Sequence, residues 1–273
     1  MVGLVTGDAS FRRFPDPFPT IGSLLRLRRE ELQALLARTR TLAPGAAPTR
    51  ALAPIDSGVE LWAAGVTFKR SEEARVGESQ TPDIYSRVYT AARPELFFKG
   101  NARRVACPGE PIVIRADSTW DVPEPEVAIV ANAHGEIVAY TICNDVSSRS
   151  IEAENPLYLP QAKVWSGSSA LGPALVPAWE IGDPYALGIA LSIERAGAPA
   201  WSGETSMASF VRRFEDLLSW LLREDEFPEG VILSTGTGLV PPESFTLGDG
   251  DVVTITVDGL GTLRNPVRRG RAR

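Results

Sequence analysis

The strongest periodic signal near the start of the chain is Ser23–Arg40, "SLLRLRREELQALLARTR". Leu24, Leu25, Leu27, Leu32, Leu35 and Leu36 fall on one helical stripe, and Ser23 stands where an N-cap would accept from the first free amides. The Pro/Ala stretch "TLAPGAAPTRALAPI" then predicts a linker. From Val59 the texture changes to short apolar runs bounded by turn residues. "ELWAAGVTF", "ELFFKG", "PIVIRAD", "EVAIVA", "EIVAYTIC", "LGPALVPAW", "LGIALSIER", "GVILSTGTG" and "DVVTITVDG" all read as strands. "SEEARVGES" with "DIYSRVYTAARP" predicts a helical interruption. Ser206–Glu226 predicts a second amphipathic helix, with Phe210, Phe214, Leu217, Leu218, Leu221 and Leu222 on its apolar side. Many strands with few scattered helices do not give the βαβα alternation of a doubly wound fold. The expectation is an α+β chain, mainly β, with a mixed, barrel-like or rolled core over residues 56–273 and a small N-terminal region over residues 1–55.

One pair of strands carries an unusual polar end. "EPEVAIVA", the turn "NAHG" and "EIVAYTICND" predict a hairpin whose mouth holds Glu124, Glu126 and Asp145. If Ala131 pairs with Glu136, paired residue numbers sum to 267. Glu126 then lies opposite Thr141, Glu124 opposite Cys143 and Val122 opposite Asp145. Side chains alternate faces along a strand, and opposed residues share a face, so the three carboxylates converge. A single bulge in the turn would turn Asp145 away, because a slip of one residue exchanges the faces. Three converging carboxylates repel one another unless a cation neutralises them. An all-oxygen set suits a hard ion such as Mg²⁺, with Mn²⁺ or Ca²⁺ as alternatives. On spacing alone, a solvated strand end is the competing reading, since Glu-x-Glu is common.

Composition narrows the partners. Of 273 residues, 44% are hydrophobic and 23% charged, which supplies an ordinary globular core without staples. The two cysteines, Cys107 and Cys143, lack C-x-x-C spacing and support neither a disulfide framework nor a zinc site. The net charge is −6, and the only basic run is Arg268, Arg269, Arg271 and Arg273, read as a frayed terminus. Nucleic acid is therefore excluded as the main partner. No apolar run reaches membrane-spanning length and the N-terminus lacks a signal-peptide pattern, so a cytoplasmic protein without a membrane partner is expected. Lysine is scarce: Lys69, Lys99 and Lys163 are the only lysines among 28 basic residues. Lysine can give up its proton and arginine effectively cannot, which singles out Lys163 beside a Gly/Ser-rich turn as a candidate for proton transfer.

The motifs "PELFFKG", "EPEVAIV", "YTICNDVSSRS", "LPQAK" and "ILSTGTG", in this order, resemble the series of the fumarylacetoacetate hydrolase superfamily over roughly residues 59 to 265. The resemblance implies a mixed β-roll of the fumarylacetoacetate hydrolase C-terminal type, a homodimer or higher homo-oligomer, and Mg²⁺ bound by Glu124, Glu126 and Asp145. It maps the family's active-site lysine onto Lys163, and the threonine that meets the acid end of the substrate onto Thr237. Lys99 and Arg87 are further substrate-binding candidates.

The branch is read from a departure. The C–C hydrolases of the family use a His–Glu pair on a lid to activate water. The sole histidine here, His134, lies at the tip of the "NAHG" turn, eight to ten residues of strand from the carboxylates, or roughly 25–30 Å. The lid-like "TFKRSEEARVGES" offers Glu72 and Glu73 but no histidine. "NPLYLPQAK", "RSEEAR" and "DIYSRVY" are closer to the 2-keto-3-deoxy-D-arabinonate dehydratase branch. The expected activity is a Mg²⁺-dependent lyase of sugar acid catabolism that converts a 2-keto-3-deoxy sugar acid into 2,5-dioxopentanoate. Lys163 moves the proton, with Glu72 or Glu73 as weaker candidates. A metal-dependent C–C hydrolase or decarboxylase of a β-diketo or 2-oxo acid, and a non-catalytic sugar-acid-binding protein, are the alternatives.

Overall fold

A computed structural model describes residues 2–6, 10–46, 48–71, 77 and 82–270. A short hairpin, β1 (Gly3–Val5) with β2 (Phe11–Arg13), precedes two helices, α1 (Ile21–Leu25) and α2 (Arg29–Arg40). The leucine stripe predicted as one helix is thus broken at 26–28. Thr20, not Ser23, is the N-cap, and Ser23 returns the bond from the N3 position of a capping box.

The body follows as β3 (Glu60–Gly65), α3 (Pro82–Thr90), β4 (Glu95–Asn101), β5 (Val105–Ala106), β6 (Ile112–Ile114), β7 (Asp121–Val122), β8 (Pro125–Ala131) and β9 (Ile137–Asp145). Then come β10 (Ser147–Ser148), α4 (Arg149–Glu154), α5 (Leu159–Lys163), β11 (Ser169–Pro177), β12 (Gly188–Arg195) and β13 (Ala198–Ser206). The chain closes through α6 (Phe214–Leu221), β14 (Val231–Ser234), β15 (Val252–Val257) and β16 (Gly261–Arg269). Seven strands form one mixed sheet in the order β4-β3-β14-β8-β9-β11-β5, and five form a second, β13-β12-β15-β16-β6. The fold is mainly β with few helices, as the strand-rich pattern predicts. No helix among the described residues is long and apolar enough to cross a membrane.

Two cores sit on opposite faces of the seven-stranded sheet. Val127, Ile129 and Ile142 pack toward Ile189, Leu191 and Ile255 of the second sheet and toward α6. Ala128, Val130 and Cys143, on the other face, pack with Leu24, Leu25, Leu32, Leu35 and Leu36 of the N-terminal helices. Period-2 alternation then places Glu124, Glu126 and Asp145 on this second face, beyond its apolar stretch.

Three other expectations are corrected. The helix expected over Ser206–Glu226 is confined to Phe214–Leu221, because Val211 instead donates its amide to the Thr67 carbonyl and Phe210 bridges to Phe68. Phe214, Leu217, Leu218 and Leu221 are still its buried face. Arg268 and Arg269 are not a frayed tail. They end β16, where Arg269 donates to the carbonyls of Arg115 (3.1 Å) and Ser118 (3.2 Å). The hairpin register, finally, sums to 269 from Pro125↔Asn144 through Val130↔Ala139, not to 267.

Candidate metal centre and active site

The register decides the site. Ala131 pairs with Ile137 and a bulge follows before Val130 pairs with Ala139, so the expected pairing slips by one residue twice. Each slip alone would exchange the faces; together they restore them. The Asp145 amide donates to the Glu124 carbonyl (2.9 Å), and the same register continues into Ser147↔Val122. Asp145 therefore opposes Glu124, nearer than the sequence register put it. One oxygen from each of Glu124, Glu126 and Asp145 lies within 4.8 Å of the others, and all three residues are buried.

Each carboxylate is also held from outside the cluster. Arg149, the first residue of α4 and almost fully buried, donates Nη2 to Glu124 Oε1 (2.8 Å). The Ser234 hydroxyl (2.6 Å) and the Gly236 amide (2.8 Å) donate to Glu126 Oε2. Lys99 Nζ lies 2.6 Å from Asp145 Oδ1. Lys163, the last residue of α5, projects Nζ to Glu124 Oε2 (2.6 Å), Ser147 Oγ (2.6 Å) and Asp145 Oδ2 (3.4 Å). Burial, then the charges of Asp145 and Glu124, push the Glu126 carboxyl up to about 8, against the Ser234 hydrogen bond and Lys163. Burial also lowers the Lys99 pKa, opposed by Asp145.

This donor set fits a hard divalent cation. It offers only oxygens, its carboxylates are crowded enough to hold a proton on Glu126, and an ammonium group already lies between Glu124 and Asp145 where positive charge is required. The cavity above the triad is lined by Lys163, Thr237, Glu95, Phe97, Arg149 and Glu152 among others.

The sequence candidates divide accordingly. Glu124, Glu126, Asp145, Lys163 and Thr237 come together at the cavity. The Thr237 hydroxyl closes on its own turn, accepting from the Leu239 amide (3.1 Å) and donating to the Leu239 carbonyl (3.2 Å). The "STGTG" turn does receive a carboxylate, but it is that of Glu126. Lys99 lies behind the triad and is not a lining residue, and Arg87 is exposed on α3, also off the cavity wall. Glu72 and Glu73 lie outside the described residues. His134 is exposed at the turn end of the hairpin, with Nε2 3.2 Å from the Arg26 carbonyl. Arg149, Glu152 and Glu95 were not expected. The available signal was alternation, since Glu95 and Phe97 share a strand face, together with the i,i+3 spacing of Arg149 and Glu152 just after Asp145.

The Gly236 turn gives a direct test. Its φ is +95°, and an added Cβ would lie 2.1 Å from Thr67 Oγ1 and 2.9 Å from the Ala64 carbonyl oxygen. Gly236→Ala is expected to destabilise the fold by about 1–3 kcal/mol and to weaken Mg²⁺ binding by displacing the amide that holds Glu126. Thermal unfolding with and without Mg²⁺ checks both. A variant that melts like the wild type in both conditions would show that the turn is compliant.

The comparisons with known proteins agree with this geometry. The family model described as fumarylacetoacetate (FAA) hydrolase C-terminal matches residues 66–268. A probable 2-keto-3-deoxyxylonate dehydratase of Haloferax volcanii is 45% identical over 265 residues, 97% of this chain and 91% of that protein. A 2-dehydro-3-deoxy-D-arabinonate dehydratase of Saccharolobus solfataricus is 43% identical over 222 residues, 80% of this chain and 74% of that protein. The solved structure of 2-keto-3-deoxy-D-arabinonate dehydratase complexed with magnesium and 2,5-dioxopentanoate superposes with a TM-score of 0.83, at 34% identity, over 99% of this chain and 95% of that one. With the family model matching residues 66–268 and the fold shared over nearly its whole length, this chain belongs to the fumarylacetoacetate hydrolase family.

Proposed function

We propose that the chain is a Mg²⁺-dependent hydro-lyase that dehydrates a 2-keto-3-deoxypentonate to 2,5-dioxopentanoate. The observation that carries the reading is the buried triad Glu124, Glu126 and Asp145 with Lys163 projecting into it. The dehydratase relatives supply the substrate class. Such an acid keeps one stereocentre, C4, so the derivatives of D-arabinonate and D-xylonate are one compound.

Glu124, Glu126 and Asp145 would hold the ion, which when bound supplies a Lewis acid for the substrate's 2-keto acid end. Dehydration removes a proton from C3 and the hydroxyl from C4 as water; loss of one proton from C5 and one from the C5 hydroxyl, balanced by protons gained at C3 and C4, then gives the aldehyde. Lys163, linked to Ser147 and Glu124, is the group we assign to the C3 proton. Glu95 lines the same cavity and is the second candidate group, for the C4 and C5 transfers. Glu72 and Glu73 remain weaker candidates from the sequence. Among the described lining residues the acids, Glu95, Glu124, Glu126, Asp145 and Glu152, outnumber the bases, Arg149 and Lys163. Carboxylates accept hydrogen bonds from a hydroxylated tail and repel a second carboxylate. That favours a sugar acid over a diacid, and with His134 at the far turn it leaves the hydrolase reading without a supporting observation. Substrate contacts of Thr237 at the acid end, and of Arg87, stay proposals from the sequence. So do residues 1–55 as a small N-terminal region beside a catalytic domain at 56–273, a homo-oligomer and a cytoplasmic setting.

The test is an assay of 2-keto-3-deoxy-D-arabinonate, its L-isomer and acylpyruvates, with Mg²⁺ and with EDTA. The expected product is 2,5-dioxopentanoate, formed with Mg²⁺ only. Cleavage of acylpyruvates without any dehydration would reverse the assignment.

A further inference from the structure

Lys99 is one of the largest fully buried side chains of the protein, yet it is a lysine. It lies at a β-bulge: Gly100 pairs with Leu61 and Phe98 with Trp62, which leaves Lys99 as the extra residue of β4. A bulge re-aims a side chain, and here it turns the lysine behind the metal-ligand triad. An ammonium group has three donors. Nζ donates to the Val146 carbonyl (3.0 Å) and the Lys163 carbonyl, and its charge pairs with Asp145 Oδ1 at 2.6 Å. Two donors are thus used by the main chain, and the ion pair with Oδ1 takes the remaining side of the ammonium group. The two carbonyls fix Nζ independently of Asp145, and Nζ in turn fixes one oxygen of Asp145. The other oxygen, Oδ2, lies on the side of Lys163, which lines the cavity.

The other two carboxylates follow the same plan. Glu124 gives Oε1 to Arg149, and Glu126 gives Oε2 to Ser234 and Gly236. Lys99 grips the carboxylate while anchored to two separate backbone segments, at Val146 and Lys163.

We propose that Lys99 is a positioning residue that restricts Asp145 to one-oxygen coordination and so makes the site selective for Mg²⁺ over Ca²⁺. This rests on the reading of the triad as the metal site. Mg²⁺ takes six oxygens at about 2.0–2.1 Å, whereas Ca²⁺ takes about six to eight at 2.3–2.6 Å and readily accepts both oxygens of one carboxylate. Three one-oxygen ligands leave three octahedral positions, enough for the two oxygens of a 2-keto acid and a water. Turning Asp145 to present both oxygens would detach Oδ1 from Lys99 and strand a buried ammonium group without that carboxylate. The larger ion is disfavoured because it cannot fill its shell from Asp145.

The test is calorimetric titration of the full chain, stripped of metal, with Mg²⁺ and with Ca²⁺, in wild type and Lys99→Met. In the variant the ratio of Kd for Ca²⁺ to Kd for Mg²⁺ is expected to fall about tenfold or more, mainly through tighter Ca²⁺ binding. A merely structural lysine would weaken both ions together and leave the ratio unchanged, which overturns the proposal. Crystals of the wild type soaked in Ca²⁺ need no variant to fold. Asp145 bound through one oxygen, with Oδ1 still on Lys99, is the supporting result; Asp145 bound through both overturns it. Binding of neither ion by the wild type would remove the metal reading itself, and this proposal with it.

Discussion

Lys163→Met is expected to lower kcat for dehydration by about 10²- to 10⁴-fold, while Mg²⁺ binds more tightly than to the wild type. The two effects have opposite signs because, in the proposed mechanism, Lys163 moves the C3 proton, while its charge competes with the ion. Its Nζ lies 2.6 Å from Glu124 Oε2 and 3.4 Å from Asp145 Oδ2, so a cation entering the triad meets a like charge already in place. Methionine keeps the length of the side chain and removes that charge. It also removes the ammonium group that joins the triad side chains to the Ser147 hydroxyl, the group proposed to move the substrate proton. Without metal, the variant leaves Glu124 and Asp145 with one buried cation each, Arg149 and Lys99, and its stability is expected to fall by about 3–5 kcal/mol. Saturating Mg²⁺ restores much of that loss by binding only the folded state. The measurements are kcat and KM at saturating Mg²⁺, a metal titration, and denaturant midpoints with and without the ion. A metal-loaded variant that keeps most of its kcat would end the role of Lys163 in proton transfer. A loss confined to KM would make it a binding residue.

The carboxylate triad was legible in the sequence because strand alternation is insensitive to errors of two residues. The 267 register was wrong, but the turn and the bulge each slipped the pairing by one, and the side chains returned to the same face. What sequence patterns carry poorly is depth. Lys99 stands in an alternating strand, and only the bulge shows that it points behind the carboxylate triad and not into the cavity. Arg149 and Glu152 lie in a polar stretch that reads as a loop, and nothing local reveals that the helix they start is buried against Glu124. The "STGTG" turn, expected to bring Thr237 to the acid end of a substrate, holds the protein's own Glu126 carboxylate through the Gly236 amide. The helical misreading of Ser206–Glu226 has the same origin. Phe210 and Val211 fit an amphipathic helix, and tertiary pairing with Phe68 and Thr67 prevails over local propensity.

Apparent Mg²⁺ affinity is expected to rise about tenfold per pH unit up to about pH 8 and then level off, with close to one proton released per ion bound below that point. The cause is Glu126, whose carboxyl is pushed up to about 8 by burial first and then by Asp145 and Glu124. Below pH 8 the metal-free site holds a proton there, and the ion must displace it. The sign for stability follows from the same group. In the unfolded chain Glu126 titrates near its ordinary 4.5, so between about pH 5 and pH 8 the metal-free folded state binds one more proton than the unfolded state. Stability of the metal-free protein therefore falls as pH rises through that window, by an amount on the order of a few kcal/mol, and is flat with respect to this group above it. Saturating Mg²⁺ removes the slope, because the ion replaces the proton as the neutraliser of the triad. Glu126→Gln separates this from other titrations: it keeps a neutral side chain at every pH, abolishes the slope in the metal-free protein and weakens Mg²⁺ binding. Calorimetry in two buffers of different ionisation enthalpy counts the protons, and thermal unfolding from pH 5 to pH 8 reads the stability. Metal affinity that does not change across this range, with no proton released at pH 6, would mean that Glu126 is already ionised in the metal-free protein. The buried cations Lys99, Lys163 and Arg149 would then suffice to balance all three carboxylates.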